Sequence, residues 1–171
     1  VFRTPKKGWG VRSWDFIPSG AFVCEYVAVI KRTDEVHDPE NFYIFDIDCL
    51  QTMKELDGRQ RRHGGVSIAP STLIDKANDD VDYCVDAGTT GNVTRYINHS
   101  CAPNLFVQCV LSDHHDAKLA RIVLFAADNI PPLQELSYDY GYAVDSVEDK
   151  DGNIIHMACY CGAPDCKKRM F

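Results

Sequence analysis

Residues 95–104 read Arg95-Tyr96-Ile97-Asn98-His99-Ser100-Cys101-Ala102-Pro103-Asn104. Asn, His, Ser and Cys fall at four consecutive positions, after a short apolar helical turn and before a proline-marked turn. A Cys–His nucleophilic pair is one reading, but adjacency in sequence does not place a base on a thiol. A structural histidine in a β-rich core is the plainer one, although Asn98 and His99 have too specific a neighbourhood for that alone.

Working outward, residues 135–142 read Glu135-Leu136-Ser137-Tyr138-Asp139-Tyr140-Gly141-Tyr142. Alternate residues of a strand share a face, so Tyr138, Tyr140 and Tyr142 either line one wall or are three half-buried β-formers. Towards the start, Lys7-Gly8-Trp9-Gly10 allows close backbone approach to a ligand under an indole, or is a plain β-turn. A dinucleotide-binding loop is excluded, because the third glycine, a preceding apolar strand and a following helix are all missing. Towards the end, Cys159, Cys161 and Cys166 crowd into eight residues. Cysteines one residue apart rarely reach disulfide geometry, so the cluster points to metal. Three thiolates leave a tetrahedral zinc one ligand short, and Cys101 has the most polar setting among the remaining cysteines. Cys24, Cys49, Cys84 and Cys109 sit singly in apolar strand-like contexts and read as small buried hydrophobes.

The 171 residues suit one domain with a small appendage, and 45% hydrophobic with 25% charged residues excludes disordered classes. The longest apolar run, Ile122 to Ala127, is far short of the ~18 residues of a membrane span. No signal peptide is expected, and the opening at Val1 rather than Met leads us to expect a piece of a longer protein. A net charge of −7 argues against a nucleic-acid backbone as the main partner and suits a basic one.

The pattern is β-rich. Strands are expected at Ala21 to Ile30, Asn41 to Asp48, Tyr83 to Asp86 (ended by Ala87-Gly88), Asn104 to Leu111, Ala120 to Ala127 and Glu135 to Tyr140. Helical turns are expected at Asn92 to Asn98 and Leu50 to Leu56, with a hairpin loop at Ser112 to Lys118. Gly58 to Asp82 reads as an exposed insertion, and Asp145 to Asn153 as an acidic linker.

The four constellations, in this order and spacing, resemble the SET-domain lysine methyltransferases over Gly8 to Phe171. Phe2 to Asp15, Tyr43 to Gln51 and Asn104 to Tyr142 are most similar to the plant suppressor-of-variegation-type histone methyltransferases, which act on lysine 9 of histone H3. The resemblance implies a mainly β SET fold of small curved sheets, with knot-like threading near the C-terminus, few short helices and a zinc-clipped post-SET tail. It divides the chain into a SET domain at 1–142 (variable insertion about 50–82), an acidic linker at 143–154 and a post-SET zinc segment at 155–171. In that family a pre-SET zinc cluster and a methylated-DNA-binding domain usually lie upstream. DNA binding is therefore expected only from such domains, which this chain does not include.

The implied reaction is methyl transfer from S-adenosyl-L-methionine to a lysine amine. By similarity Tyr140 is catalytic, Tyr43 is its partner across the channel, and Tyr138 sets how many methyls are added. Lys7, Gly8, Trp9 and Tyr43 would meet the cofactor, Arg95, Asn98 and His99 would hold its methionine and adenine ends, and Phe171 is the candidate lid. Cys101 would complete one structural zinc with Cys159, Cys161 and Cys166. A tyrosine at position 138 can hold a water in the space a third methyl needs, which implies mono- and dimethylation. The implied partners are the histone H3 N-terminal tail and the nucleosome or chromatin, with no membrane, in the nucleus, promoting heterochromatin and gene silencing. A catalytically silent chromatin-binding module of the same fold is the competing reading, and retention of Asn98, His99, Tyr140 and the four cysteines favours the enzyme. A zinc hydrolase or deaminase would need an open metal position and a neighbouring acid/base Glu, and no His-x-Glu pairing with these cysteines exists.

Overall fold

The computed structural model describes residues 1–36, 41–47, 83–112, 116, 119–143, 145–149 and 151–171. The insertion expected at about 50–82, the turn at Leu50 to Leu56, Cys49 and most of the 112–118 loop lie outside them. Among the described residues the fold is mainly β, with a few short 3-10 turns.

Strands β1 (Phe2–Arg3) and β2 (Trp9–Gly10) form a small antiparallel hairpin, Phe2 opposite Gly10 and Arg3 opposite Trp9. Gly8, at φ 74, supplies the left-handed residue of its turn. The Thr4 hydroxyl closes the turn, accepting from the Lys7 N–H at 2.8 Å and donating to the Gly8 carbonyl at 3.0 Å.

The single strand expected at Ala21 to Ile30 is two strands in different sheets, β3 (Phe22–Glu25) and β4 (Ala28–Arg32). Asn92 causes the break. Its Nδ2 donates to the Glu25 carbonyl at 2.7 Å, and its backbone N–H donates to the Val27 carbonyl at 3.0 Å. These bonds replace a continuous ladder at Tyr26 and Val27.

The strand expected at Asn41 to Asp48 is shorter, β5 (Ile44–Asp46), and Tyr43 lies in the turn before it. The Asn41 side chain makes that turn by accepting from the Tyr43 N–H at 3.1 Å. Next, β6 (Tyr83–Gly91) runs past the Ala87-Gly88 pair that was expected to end it. Ala87 is fully buried, and a Cβ on Gly88 would sit 2.8 Å from Asn41 Nδ2, so this glycine permits close approach rather than a turn. The sheet order is β4-β6-β5.

A 3-10 turn over Val93–Tyr96, capped by Asn92, leads into β7 (Asn98–His99). β8 (Leu105–Val110) and β9 (Arg121–Ala126) pair antiparallel, and β3 joins them in the order β3-β9-β8. The strand expected at Glu135 to Tyr140 is reduced to β10 (Ser137–Tyr138), which pairs in parallel with β7, Ser137 opposite Asn98 and Tyr138 opposite His99. This pairing sets two of the four constellations side by side.

One core cluster joins both three-stranded sheets through Val85, Ala87, Leu105, Ile122, Leu124 and Ala126, and it includes Ile97 and Tyr138. Each large aliphatic side chain buried there contributes about 1.5–3 kcal/mol. The tail folds back as a narrow hairpin, with Ala158 bridged to Arg169 and the Met170 N–H donating to the Met157 carbonyl at 2.8 Å. It ends with Phe171 only 1% exposed.

Candidate active site

Every residue expected to hold a cofactor or to do chemistry lines one cavity of about 900 Å³. The β1–β2 hairpin presents Lys7, Gly8 and Trp9 to it, with the indole half exposed. Asn98, at the start of β7, donates from Nδ2 to the Trp9 carbonyl and to Glu135 Oε1, both at 2.9 Å. A second Glu135 oxygen, Oε2, accepts from Lys7 Nζ at 2.7 Å. Glu135 carried no distinct sequence signal beyond its place before the tyrosine strand.

The tyrosines do form a wall. The rings of Tyr138 and Tyr140 lie 4.8 Å apart, and those of Tyr140 and Tyr142 lie 6.4 Å apart. Phe171 continues it, 5.0 Å from the Tyr142 ring and stacked on Phe42 at 6.3 Å. The Tyr140 hydroxyl donates to the Ile97 carbonyl at 2.8 Å, which leaves its oxygen free only as an acceptor. Burial pushes the pKa of both Tyr138 and Tyr140 well up, so both stay neutral at physiological pH. The Tyr138 hydroxyl has no hydrogen-bond partner among the described residues.

Arg95, from the 3-10 turn, places its guanidinium 4.5 Å from the centre of the Tyr43 ring and donates from Nη2 to the Gly88 carbonyl at 2.9 Å. Its Nε is buried with no hydrogen-bond partner among the described residues. A buried cationic N–H without an acceptor is costly, so this atom suits an anionic group inside the cavity. Tyr43 is braced from the other side by the Tyr26 hydroxyl, which donates to the Tyr43 carbonyl at 3.3 Å.

His99 links the tyrosine wall to the cysteines. Its Nδ1 accepts from the Tyr140 N–H at 3.2 Å. The proton of the neutral ring must then sit on Nε2, which lies 3.5 Å from Cys101 Sγ. Burial holds the His99 pKa below its ordinary value, with Asp139 opposing and Lys167 and Lys7 reinforcing the shift.

Cys101, Cys159, Cys161 and Cys166 place their sulfurs within 4.8 Å of one another. A tetrahedral site with Zn–S near 2.3 Å needs sulfurs about 3.8 Å apart, and Cys101 and Cys159 are 3.9 Å apart. The Ala163 N–H donates to Cys161 Sγ at 3.5 Å and the Lys168 N–H to Cys166 Sγ at 3.4 Å, the N–H···S bonds that thiolate ligands accept. At Cys161 burial works against ionisation, but the N–H groups of Cys101 and Ala163 and the neighbouring thiols outweigh it and bring the pKa to about 6. The donor set therefore fits zinc, and with four protein ligands such a site is closed and structural.

The sequence profile of one family, described as the SET domain, matches residues 8–141. The chain is 57% identical over its whole length to the histone-lysine N-methyltransferase, H3 lysine-9 specific SUVH4 of Arabidopsis thaliana, and spans 28% of that protein. It is 41% identical to the H3 lysine-9 specific SUVH6 of the same plant, again over its whole length, and spans 22% of it. Among solved structures it is similar to KRYPTONITE in complex with methylated DNA, an H3(1-15) peptide and SAH, with a TM-score of 0.76, 51% identity, and coverage of 100% of this chain and 29% of the other. It is also similar to Arabidopsis thaliana SUVH6 in complex with SAM, with a TM-score of 0.75, 41% identity, and coverage of 100% and 32%.

Proposed function

The chain belongs to the SET-domain family, and from that premise we propose that it is the catalytic segment of a histone-lysine N-methyltransferase that transfers a methyl group from S-adenosyl-L-methionine to lysine 9 of histone H3. The observation that carries this reading is the convergence on one cavity of Tyr140, of Arg95 (whose buried Nε has no partner among the described residues) and of the hairpin around Trp9. The similar SUVH4 and SUVH6 proteins are named for H3 lysine-9 activity.

S-adenosylmethionine supplies an electrophilic methyl on a sulfonium. The acceptor amine must reach it unprotonated, against an unperturbed pKa of about 10.4. The aromatic wall of Tyr138, Tyr140, Tyr142 and Phe171 lowers that pKa by excluding water and supplies ring faces to a cationic transition state. Tyr140 is not the base, because burial keeps its hydroxyl neutral and its proton is given to Ile97. Its oxygen accepts from an amine N–H and so orients the nitrogen lone pair towards the methyl. Arg95 meets the carboxylate at the methionine end, and Trp9 covers the cofactor from the hairpin side. Tyr138, whose hydroxyl has no partner among the described residues, would hold a water where a third methyl would go, which gives mono- and dimethylated products.

Cys101, Cys159, Cys161 and Cys166 would hold a zinc with no open position, whose role would be structural. Bound there, these cysteines would clip the tail to the Asn98–Cys101 segment and so help seat Phe171 in the wall. We take the chain as SET domain at 1–142, with insertion at about 50–82, acidic linker at 143–154 and post-SET segment at 155–171. The partner is the basic histone H3 tail, which suits the net charge of −7. Nuclear, chromatin-associated action that promotes heterochromatin follows from that substrate. Among the described residues no helix is long and apolar enough to cross a membrane.

Mass spectrometry of a histone H3 tail peptide incubated with the protein and S-adenosylmethionine tests the reading. Methylation confined to lysine 9, and lost when that lysine is replaced by alanine, is the expected result. A folded preparation with an intact tail that neither binds S-adenosylmethionine nor transfers methyl would favour the catalytically silent module instead.

A further inference from the structure

We infer that Glu135 is a positioning residue for the cofactor end of the cavity: its carboxylate locks the β1–β2 hairpin and Asn98 together in the arrangement that receives S-adenosylmethionine. The inference rests on the function proposed above.

Glu135 does not itself line the cavity, yet two of its partners do. Oε2 accepts from Lys7 Nζ at 2.7 Å and Oε1 accepts from Asn98 Nδ2 at 2.9 Å. These contacts join segments 128 and 37 residues away in sequence. A hairpin with two residues in each strand cannot hold its own position, so the placement of Lys7, Gly8 and Trp9 depends on what anchors it. Arg12 and Glu135 form an antiparallel bridge, and the Leu136 N–H donates to the Val11 carbonyl at 2.8 Å, which brings the start of the Glu135 side chain beside the hairpin.

The Asn98 amide confirms the direction of the lock. The Trp9 carbonyl only accepts, so the Asn98 nitrogen must face it, and both amide hydrogens are then spent on Trp9 and Glu135. Asn98 Oδ1 is left without a partner among the described residues, available to a ligand donor. Gly10 explains why the carboxylate fits. A Cβ there would stand 3.1 Å from Glu135 Oε1 and 3.0 Å from both Phe2 Cε1 and Thr4 Cγ2. The two glycines around Trp9 thus serve different ends, Gly8 for its turn and Gly10 for the approach of Glu135.

Calorimetric binding of S-adenosylmethionine and steady-state methyl transfer, on wild type, Glu135→Gln and Glu135→Ala, test the inference. Glu135→Ala removes two charge-assisted bonds, so the cofactor Kd and KM should rise on the order of 10- to 100-fold. The kcat at saturating cofactor should stay within about threefold, because the tyrosine wall is untouched. Glu135→Gln keeps an acceptor for Asn98 and should rescue most of the loss, with zinc content unchanged. An unchanged Kd in Glu135→Ala, or an equal fall in kcat with no rescue by glutamine, would overturn the inference. Should Glu135→Ala not fold, Glu135→Gln decides, because losing the Lys7 pair alone should still raise Kd about threefold or more. A wild type that binds no S-adenosylmethionine would overturn the functional reading and this inference with it, whereas a binding wild type with an equally tight Glu135→Ala would overturn this inference alone.

Discussion

Tyr140→Phe separates chemistry from packing. The phenyl ring keeps its place beside Tyr138, Tyr142 and His99, whose ring centres lie 4.8, 6.4 and 5.4 Å away. What is lost is the hydroxyl, and with it the 2.8 Å bond to the Ile97 carbonyl. Leaving that carbonyl unsatisfied beside a residue in the core costs about 1–2 kcal/mol, and for a domain of this size about 2–4 °C of melting temperature per kcal/mol. The catalytic loss is larger. An acceptor that fixes the amine lone pair is worth about 100-fold in turnover, or about 2.7 kcal/mol of barrier. Steady-state methyl transfer to a histone H3 tail peptide should therefore fall about 100-fold in kcat, with S-adenosylmethionine affinity held within about threefold. Because burial pushes the Tyr140 pKa well up, wild type and variant should show the same rise of rate with pH, set by the acceptor amine. A folded variant with near-normal turnover would refute the assignment of Tyr140 to the reacting amine.

Metal analysis should find one zinc per chain from the Cys101, Cys159, Cys161 and Cys166 cluster, and chelation should abolish methyl transfer before the circular dichroism of the β body changes. A zinc-free preparation that is active would remove the site. Tyr138→Phe should raise trimethyl-lysine in time courses read by mass spectrometry at little stability cost, since its hydroxyl has no partner among the described residues; abundant trimethylation by the wild type would contradict the water-holding role. Asp86 is buried, which alone would raise its pKa, but bonds from Lys31, Asn41 and the Gly88 N–H outweigh burial and bring it to about 2. A depressed folded pKa adds stability that is full above the unfolded value near 3.8 and drains as pH falls towards about 2. Denaturant midpoints of Asp86→Asn should accordingly lie below wild type at neutral pH and converge on it across that window, and a constant gap down to pH 2 would show that Asp86 does not titrate there.

Most of the cavity was legible because its chemistry is carried by short segments. His99 and Cys101 are two residues apart, as are Tyr138 and Tyr140, so local stereochemistry tends to put each pair on a common face, and Asn98 lies next to them in sequence. The strand limits were less legible. Asn92 opens the expected turn at Asn92 to Asn98 and caps it, yet its side chain and backbone also take the carbonyls of Glu25 and Val27 and split a run that looks continuous. Ala87-Gly88 reads as a stop, but close packing against Asn41 uses the missing Cβ instead.

The sequence alone determined the residue types and local spacings: the glycines around Trp9, the thiols at Cys159 and Cys161, the aromatic alternation and the acidic balance. These depend only on neighbours along the chain and on side-chain chemistry. Tertiary structure alone decided that Glu135 meets Lys7 and Asn98, that Arg95 Nε is buried without a partner among the described residues, and that His99 carries its proton on Nε2 towards Cys101. Most of those contacts join groups far apart along the chain that only the fold brings together. For Asn98 and His99 the partners across the site follow from the parallel pairing of β7 with β10, and no local preference encodes that closure.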